Sequence, residues 1–125
     1  MHNDKNSLLS LYIHIPFCLS KCSYCDFTSF ANSVSIQNPY IDALIKEIHS
    51  YKNQILSRGI KTIFIGGGTP TSLSDSLFEK LLYNIDEILN LNLNESDVEY
   101  TVEANPKTIS HQKALTLKKY GVNRV

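Results

Sequence analysis

At 125 residues, 42% hydrophobic and 19% charged, the chain has the size and composition of one globular domain. Its 12 Lys+Arg balance 12 Asp+Glu, which leaves no basic face for nucleic acid and no polybasic run for an anionic membrane. Apolar runs reach about five residues, far short of the roughly 20 of a transmembrane segment, and polar Met1–Ser10 lacks the apolar core of a secretion signal, so the expected location is the cytoplasm.

Residues 1–10 are expected to be a loose leader. Leu11-Tyr12-Ile13-His14-Ile15 is a β-branched and aromatic run stopped by Pro16, which predicts a strand. Phe17 to Val34 shows no helical period and predicts a long loop. Asn38-Pro39 predicts a helix start, with Asn38 as N-cap and Pro39 at the first position. Ile41, Leu44, Ile45, Ile48, Ile55 and Leu56 carry the helical spacing through about residue 57, and Gly59 ends it. Thr62–Ile65 predicts a second strand, running straight into Gly66-Gly67-Gly68-Thr69-Pro70. Ser74 is expected to cap a helix whose apolar face is Leu77, Phe78, Leu81, Leu82, Ile85, Ile88 and Leu89. Val98–Glu103 alternates as a third strand and ends at Asn105-Pro106. Ser110 caps a last helix that stops at Gly121, and Asn123-Arg124-Val125 begins a fourth strand.

Strands alternating with helices in this order predict an α/β fold with a parallel sheet. Ile63-Phe64-Ile65 suits a central strand buried on both faces. The chain stops as its fourth strand starts, so the 125 residues are expected to be poorly stable alone.

All three cysteines lie between positions 18 and 25. An odd number cannot pair off in internal disulfides, and clustered cysteines in a reducing compartment more often bind metal or do redox chemistry. Cys18-Leu-Ser-Lys-Cys22-Ser-Tyr-Cys25 has the spacing C-x₃-C-x₂-C. Three thiolates on one loop can hold a [4Fe–4S] cluster and leave one iron open to chelate the amino and carboxylate groups of S-adenosylmethionine (SAM). A zinc site is the plainer alternative, although it usually takes four protein ligands. His14 precedes the loop on a strand, and His2, His49 and His111 are scattered. The glycine run follows a strand, at the end where α/β folds bind ligands, and suits close approach by a small polar group. A tight strand-to-helix turn would use the same glycines. Glu103 ends the next strand at the same edge, placed for an ammonium or ribose hydroxyls, or merely for water. Cysteines, glycines and a carboxylate thus fall on one rim.

Tyr12-Ile-His-Ile-Pro-Phe-Cys18, Cys22-Ser-Tyr-Cys25-Asp-Phe27, Gly66-Gly-Gly-Thr-Pro70 and Glu103-Ala-Asn-Pro106 closely resemble the oxygen-independent coproporphyrinogen III oxidase-like radical SAM family, from about Leu11 to Val125. The resemblance implies the N-terminal half of a partial (βα)₆ TIM-like barrel over residues 11–125, with the rest of the barrel and a following domain beyond it. It implies a [4Fe–4S] cluster on Cys18, Cys22 and Cys25. It also implies that Tyr12, Tyr24, Gly67, Gly68, Thr69 and Glu103 contact SAM or the cluster surroundings. Tyr12 could equally be a packing aromatic, and Tyr24 a loop anchor. True oxidases of the family carry a further Cys two residues after the third cluster cysteine, where this chain has Phe27. That resembles the haem chaperone branch, which binds haem and delivers it to haem-dependent enzymes. The implied partners are haem or porphyrin, haem-accepting proteins, and an electron donor such as flavodoxin or ferredoxin. The runner-up is the oxidase itself, and the third reading is a non-catalytic three-thiolate metal-binding module.

Overall fold

The structure is a computed structural model that describes residues 7–18, 30–31, 34–90 and 97–125. The chain begins with β1 (Leu9–Ile15), β2 (Phe17–Cys18) and β3 (Phe30–Ala31), followed by α1 (Val34–Ser50) and α2 (Lys52–Arg58). Next come β4 (Ile60–Gly67), a 3₁₀ turn (Pro70–Ser72) and α3 (Asp75–Leu89). The chain closes with β5 (Glu99–Val102), a second 3₁₀ turn (Pro106–Thr108) and α4 (His111–Lys119).

The main sheet is parallel, in the order β1-β4-β5. Its register sets Ile13 beside Ile65 and Ile65 beside Val102. A parallel bridge from Thr101 to Arg124 starts the expected fourth strand beside β5. The period-2 alternation of the strands gives the sheet two unlike faces. Ile13, Ile15, Ile63, Ile65, Tyr100 and Val102 are buried in one core with Ile41 and Ile48 of α1, Ile55 of α2, and Phe78, Leu81, Leu82 and Ile85 of α3. The other face carries Tyr12, 59% exposed, and Phe64, 38% exposed. Phe64 therefore departs from the expectation of burial on both sides, because the described helices cover only one face.

The N-caps of the later helices are as expected. The Leu77 amide donates to Ser74 Oγ at 3.2 Å, and the Lys113 amide donates to Ser110 Oγ at 3.0 Å. The first helix differs. It begins at Val34 and runs through Pro39, so Asn38 is not its N-cap. Gln37 is buried and Ile41 fully so, which carries the packed stripe across the proline to two residues ahead of it. Pro39 lacks the N–H that an interior helical position donates, a cost that packing of the flanking turns outweighs here. Asn38 instead accepts from Lys80 Nζ at 3.3 Å. The helix also breaks at Tyr51, whose amide bonds back three residues to Ile48 O at 3.1 Å, so one expected helix becomes two. β1 and β4 are longer than predicted, and the loop expected from Phe17 to Val34 contains the short parallel pair β2–β3.

Candidate functional site

Parallel strands bring their C-terminal ends to one rim, and three main-chain hydrogen bonds fix the segments that leave it. The Gly68 amide donates to Ile15 O at 2.8 Å, the Thr69 amide to Phe17 O at 2.6 Å, and the Glu103 amide to Ile65 O at 2.9 Å. The Ser72 hydroxyl adds a second donor to Phe17 O at 3.2 Å. Phe17 itself is fully buried, edge-on to Tyr40 with ring centroids 5.3 Å apart. Cys18, the next residue, is therefore held from behind by a core anchor. Its half-buried Sγ lies 3.9 Å from the Thr69 hydroxyl, which donates towards it.

The glycine run is required by contact. A Cβ at position 68 would stand 2.6 Å from Phe17 O, and one at position 66 would run into the Glu103 carboxylate and the Phe64 ring. Gly67 has φ +116, a conformation that side chains disfavour. Its amide donates to Glu103 Oε1 at 2.9 Å. The turn after β4 and the carboxylate after β5 thus form one unit.

Tyr12 and His14 project from β1 on the open face, and Tyr12 Oη lies 2.9 Å from His14 Nδ1. The Tyr12 ring stacks on Phe64 at 5.9 Å with a 25° interplanar angle. Partial burial, and secondarily the charge of Glu103, raise the Tyr12 phenol above its ordinary pKa. At neutral pH Tyr12 is thus an uncharged donor or acceptor. The Tyr40 hydroxyl donates to His14 O at 2.5 Å and pins the end of β1.

The structure gathers Cys18, Gly67, Gly68, Thr69 and Glu103 at the rim, with Tyr12 on the open face beside it. Cys22, Cys25, Tyr24 and Phe27 lie outside the described residues. Tyr40, Phe64 and Ser72 belong to the same surroundings although no motif pointed to them. Alternation along β1 and β4 would have put Tyr12 and Phe64 on one face. Nothing local pointed to Tyr40 or Ser72, whose contacts with β1 and β2 span 26 and 55 positions.

A family model described as the radical SAM superfamily matches residues 12–125. A protein of Buchnera aphidicola subsp. Schizaphis graminum named haem chaperone HemW is 43% identical over 117 residues, 93% of this chain and 30% of that protein. The haem chaperone HemW of Escherichia coli K12 is 41% identical over 118 residues, 94% of this chain and 30% of that protein. Among solved structures, the coproporphyrinogen III oxidase HemN of Escherichia coli, described as a radical SAM enzyme, aligns with a TM-score of 0.81 at 30% identity. That alignment covers 96% of this chain and 27% of HemN. The expected α/β fold thus matches the N-terminal part of a TIM-like radical SAM fold. The chain spans about 30% of the length of the curated relatives it matches.

Proposed function

Because this chain belongs to the radical SAM superfamily, we propose that Cys18, Cys22 and Cys25 hold a [4Fe–4S] cluster whose open iron takes SAM, within a protein that binds haem and delivers it to haem-dependent enzymes. The observation that carries the cofactor reading is the unit made by Gly67 and Glu103 beside Cys18. The donor set fits. Cys18 is a half-buried thiol on an anchored backbone, and the three glycines let the Glu103 carboxylate, the His14 ring and the Phe17 backbone close on the turn beside it. When bound, a reduced cluster supplies one electron for cleavage of the SAM sulfonium.

The chain's own groups then have separate tasks. Glu103 keeps acceptor capacity beyond the bond from Gly67, for an ammonium or for ribose hydroxyls. Tyr12 and Phe64 present a stacked aromatic surface to the open side of the sheet. Residues 11–125 act as the N-terminal half of the barrel. An electron donor of the flavodoxin or ferredoxin class fits such chemistry. Among the described residues no helix is long and apolar enough to cross a membrane, and a cytoplasmic location suits the thiolate site.

Phe27, where the oxidases of the family have Cys, favours haem delivery over decarboxylation. The 41–43% identity to the two proteins named haem chaperone, against 30% to the oxidase, points the same way. Anaerobic reconstitution tests the cluster. It should give about four irons per chain, and Cys18→Ala should lose most of them. Stoichiometric zinc without iron uptake would instead establish the three-thiolate module. The reconstituted protein should bind haem and leave coproporphyrinogen III intact. Catalytic formation of protoporphyrinogen would make it the oxidase.

A further inference from the structure

Two of the three rim strands, β4 and β5, are each followed by a 3₁₀ turn. Pro70–Ser72 directly follows Thr69, and Pro106–Thr108 begins three residues after Glu103. The two turns meet inside the protein. Thr71 is fully buried and Thr108 is 7% exposed, and their hydroxyl oxygens lie 2.5 Å apart across 37 positions. The Thr108 hydroxyl donates its one proton to Asn105 O at 2.7 Å, so the proton between the two threonines comes from Thr71. The result is a directed chain from Thr71 to Thr108 to the Asn105 carbonyl, two residues beyond Glu103.

A buried ammonium reinforces it. Lys113 is 8% exposed, and its Nζ donates to Thr108 O at 3.2 Å. The same Nζ lies 3.6 Å from Asp75 Oδ1, an atom that also accepts from the Ser110 hydroxyl at 2.7 Å. The turn that follows Glu103 is thus tied both to the turn that follows the glycines and to the start of α3. Upstream, Glu103 is tied by its amide to Ile65 O at 2.9 Å.

We infer that Thr71 and Thr108 are positioning residues: their buried hydroxyl bond sets the Glu103 carboxylate against the Gly67 amide and thereby sets the affinity of this rim for SAM. The effect on SAM rests on the site proposed above, whereas the effect on the Gly67–Glu103 bond does not. A valine at position 71 keeps the shape of threonine and removes its proton donor. A role in packing alone would change overall stability without singling out Gly67.

The test is Thr71→Val in the whole protein, read by amide hydrogen exchange without SAM and by SAM titration of the iron-loaded form. Gly67 exchange should accelerate about five- to tenfold, as expected for loss of a buried hydrogen bond, with the Ile85 amide in α3 unchanged. SAM should bind about five- to tenfold more weakly at unchanged iron content, and Thr71→Ser should restore both readouts. Wild-type exchange at Gly67 in the valine variant would overturn the inference. So would accelerated exchange with unchanged SAM affinity. If the wild-type protein takes no SAM while Gly67 still exchanges faster in the variant, the SAM site fails and the tether stands. If the variant loses protection at Ile85 as well, Thr108→Val decides: selective acceleration at Gly67 supports the tether, and none refutes it.

Discussion

The Gly67 amide and the Glu103 carboxylate meet at 2.9 Å across 36 positions of sequence. The contact joins the ends of two parallel strands and fills the space that a side chain at position 66 would need. It also leaves Glu103 close enough for its charge to act on Tyr12.

Glu103→Gln should lower the Tyr12 pKa. The carboxylate is the second cause of the raised value, after burial, so its removal brings the phenol down but not fully back to the ordinary 10.0. Ultraviolet titration of the variant against wild type, with Tyr12→Phe to identify the signal, measures this. An unmoved Tyr12 titration would mean that the charge does not reach the phenol.

Gly66 and Gly68 should fail in different ways. Gly68→Ala drives a methyl against the backbone of buried Phe17 and should cost about 1–3 kcal/mol of stability along with iron uptake. Gly66→Ala meets the mobile end of Glu103 and the Phe64 ring, so its loss of stability should be smaller. It should nevertheless break the Gly67–Glu103 bond and weaken SAM binding. Thermal unfolding and SAM titration of the two variants, side by side, check the contrast.

Thr69→Val should lower the reduction potential of the reconstituted cluster. The Thr69 hydroxyl approaches Cys18 Sγ, and a donor to a cysteine sulfur favours the more negative, reduced state. Redox titration followed by EPR at equal iron content reads the direction. A potential that rises would rule out a hydrogen bond to the sulfur.

Tyr100→Phe should stabilise the fold at high pH. Among the described residues the buried Tyr100 hydroxyl has no partner, and burial, then the charge of Asp86, push its pKa far above the ordinary range. A raised folded pKa means that the neutral phenol's contribution is complete below the unfolded pKa of 10.0 and is lost as pH rises beyond it. Phenylalanine has nothing to ionise, so the variant should keep its stability through that window. Near neutral pH it should gain about 1 kcal/mol from removal of an unsatisfied hydroxyl. Denaturant midpoints at pH 7 and above pH 10 measure both effects.

The element order, the capping serines and the parallel sheet were legible because each is written locally. Ser74 and Ser110 stand directly before helical patterns, and the apolar runs of β1 and β4 are short and bounded by Pro16 and by glycines. The start of the first helix was not legible. Asn38-Pro39 has the local signature of an N-terminus, but burial of Gln37 and Ile41 on one stripe prevails over it. The break at Tyr51 likewise has no glycine or proline to announce it.

By itself the sequence determined the cysteine spacing, the glycine run and the order of strands that carries Cys18, Gly67 and Glu103 to one end of a sheet. Only the tertiary structure decided that Glu103 bonds to Gly67, that Phe64 faces outward with Tyr12, and that Thr71 and Thr108 join the two turns beneath the rim. Helical and strand periods constrain neighbours within a few residues. Hydrogen bonds spanning 36 and 37 positions depend on strand register and on how two turns pack, and no local pattern encodes either.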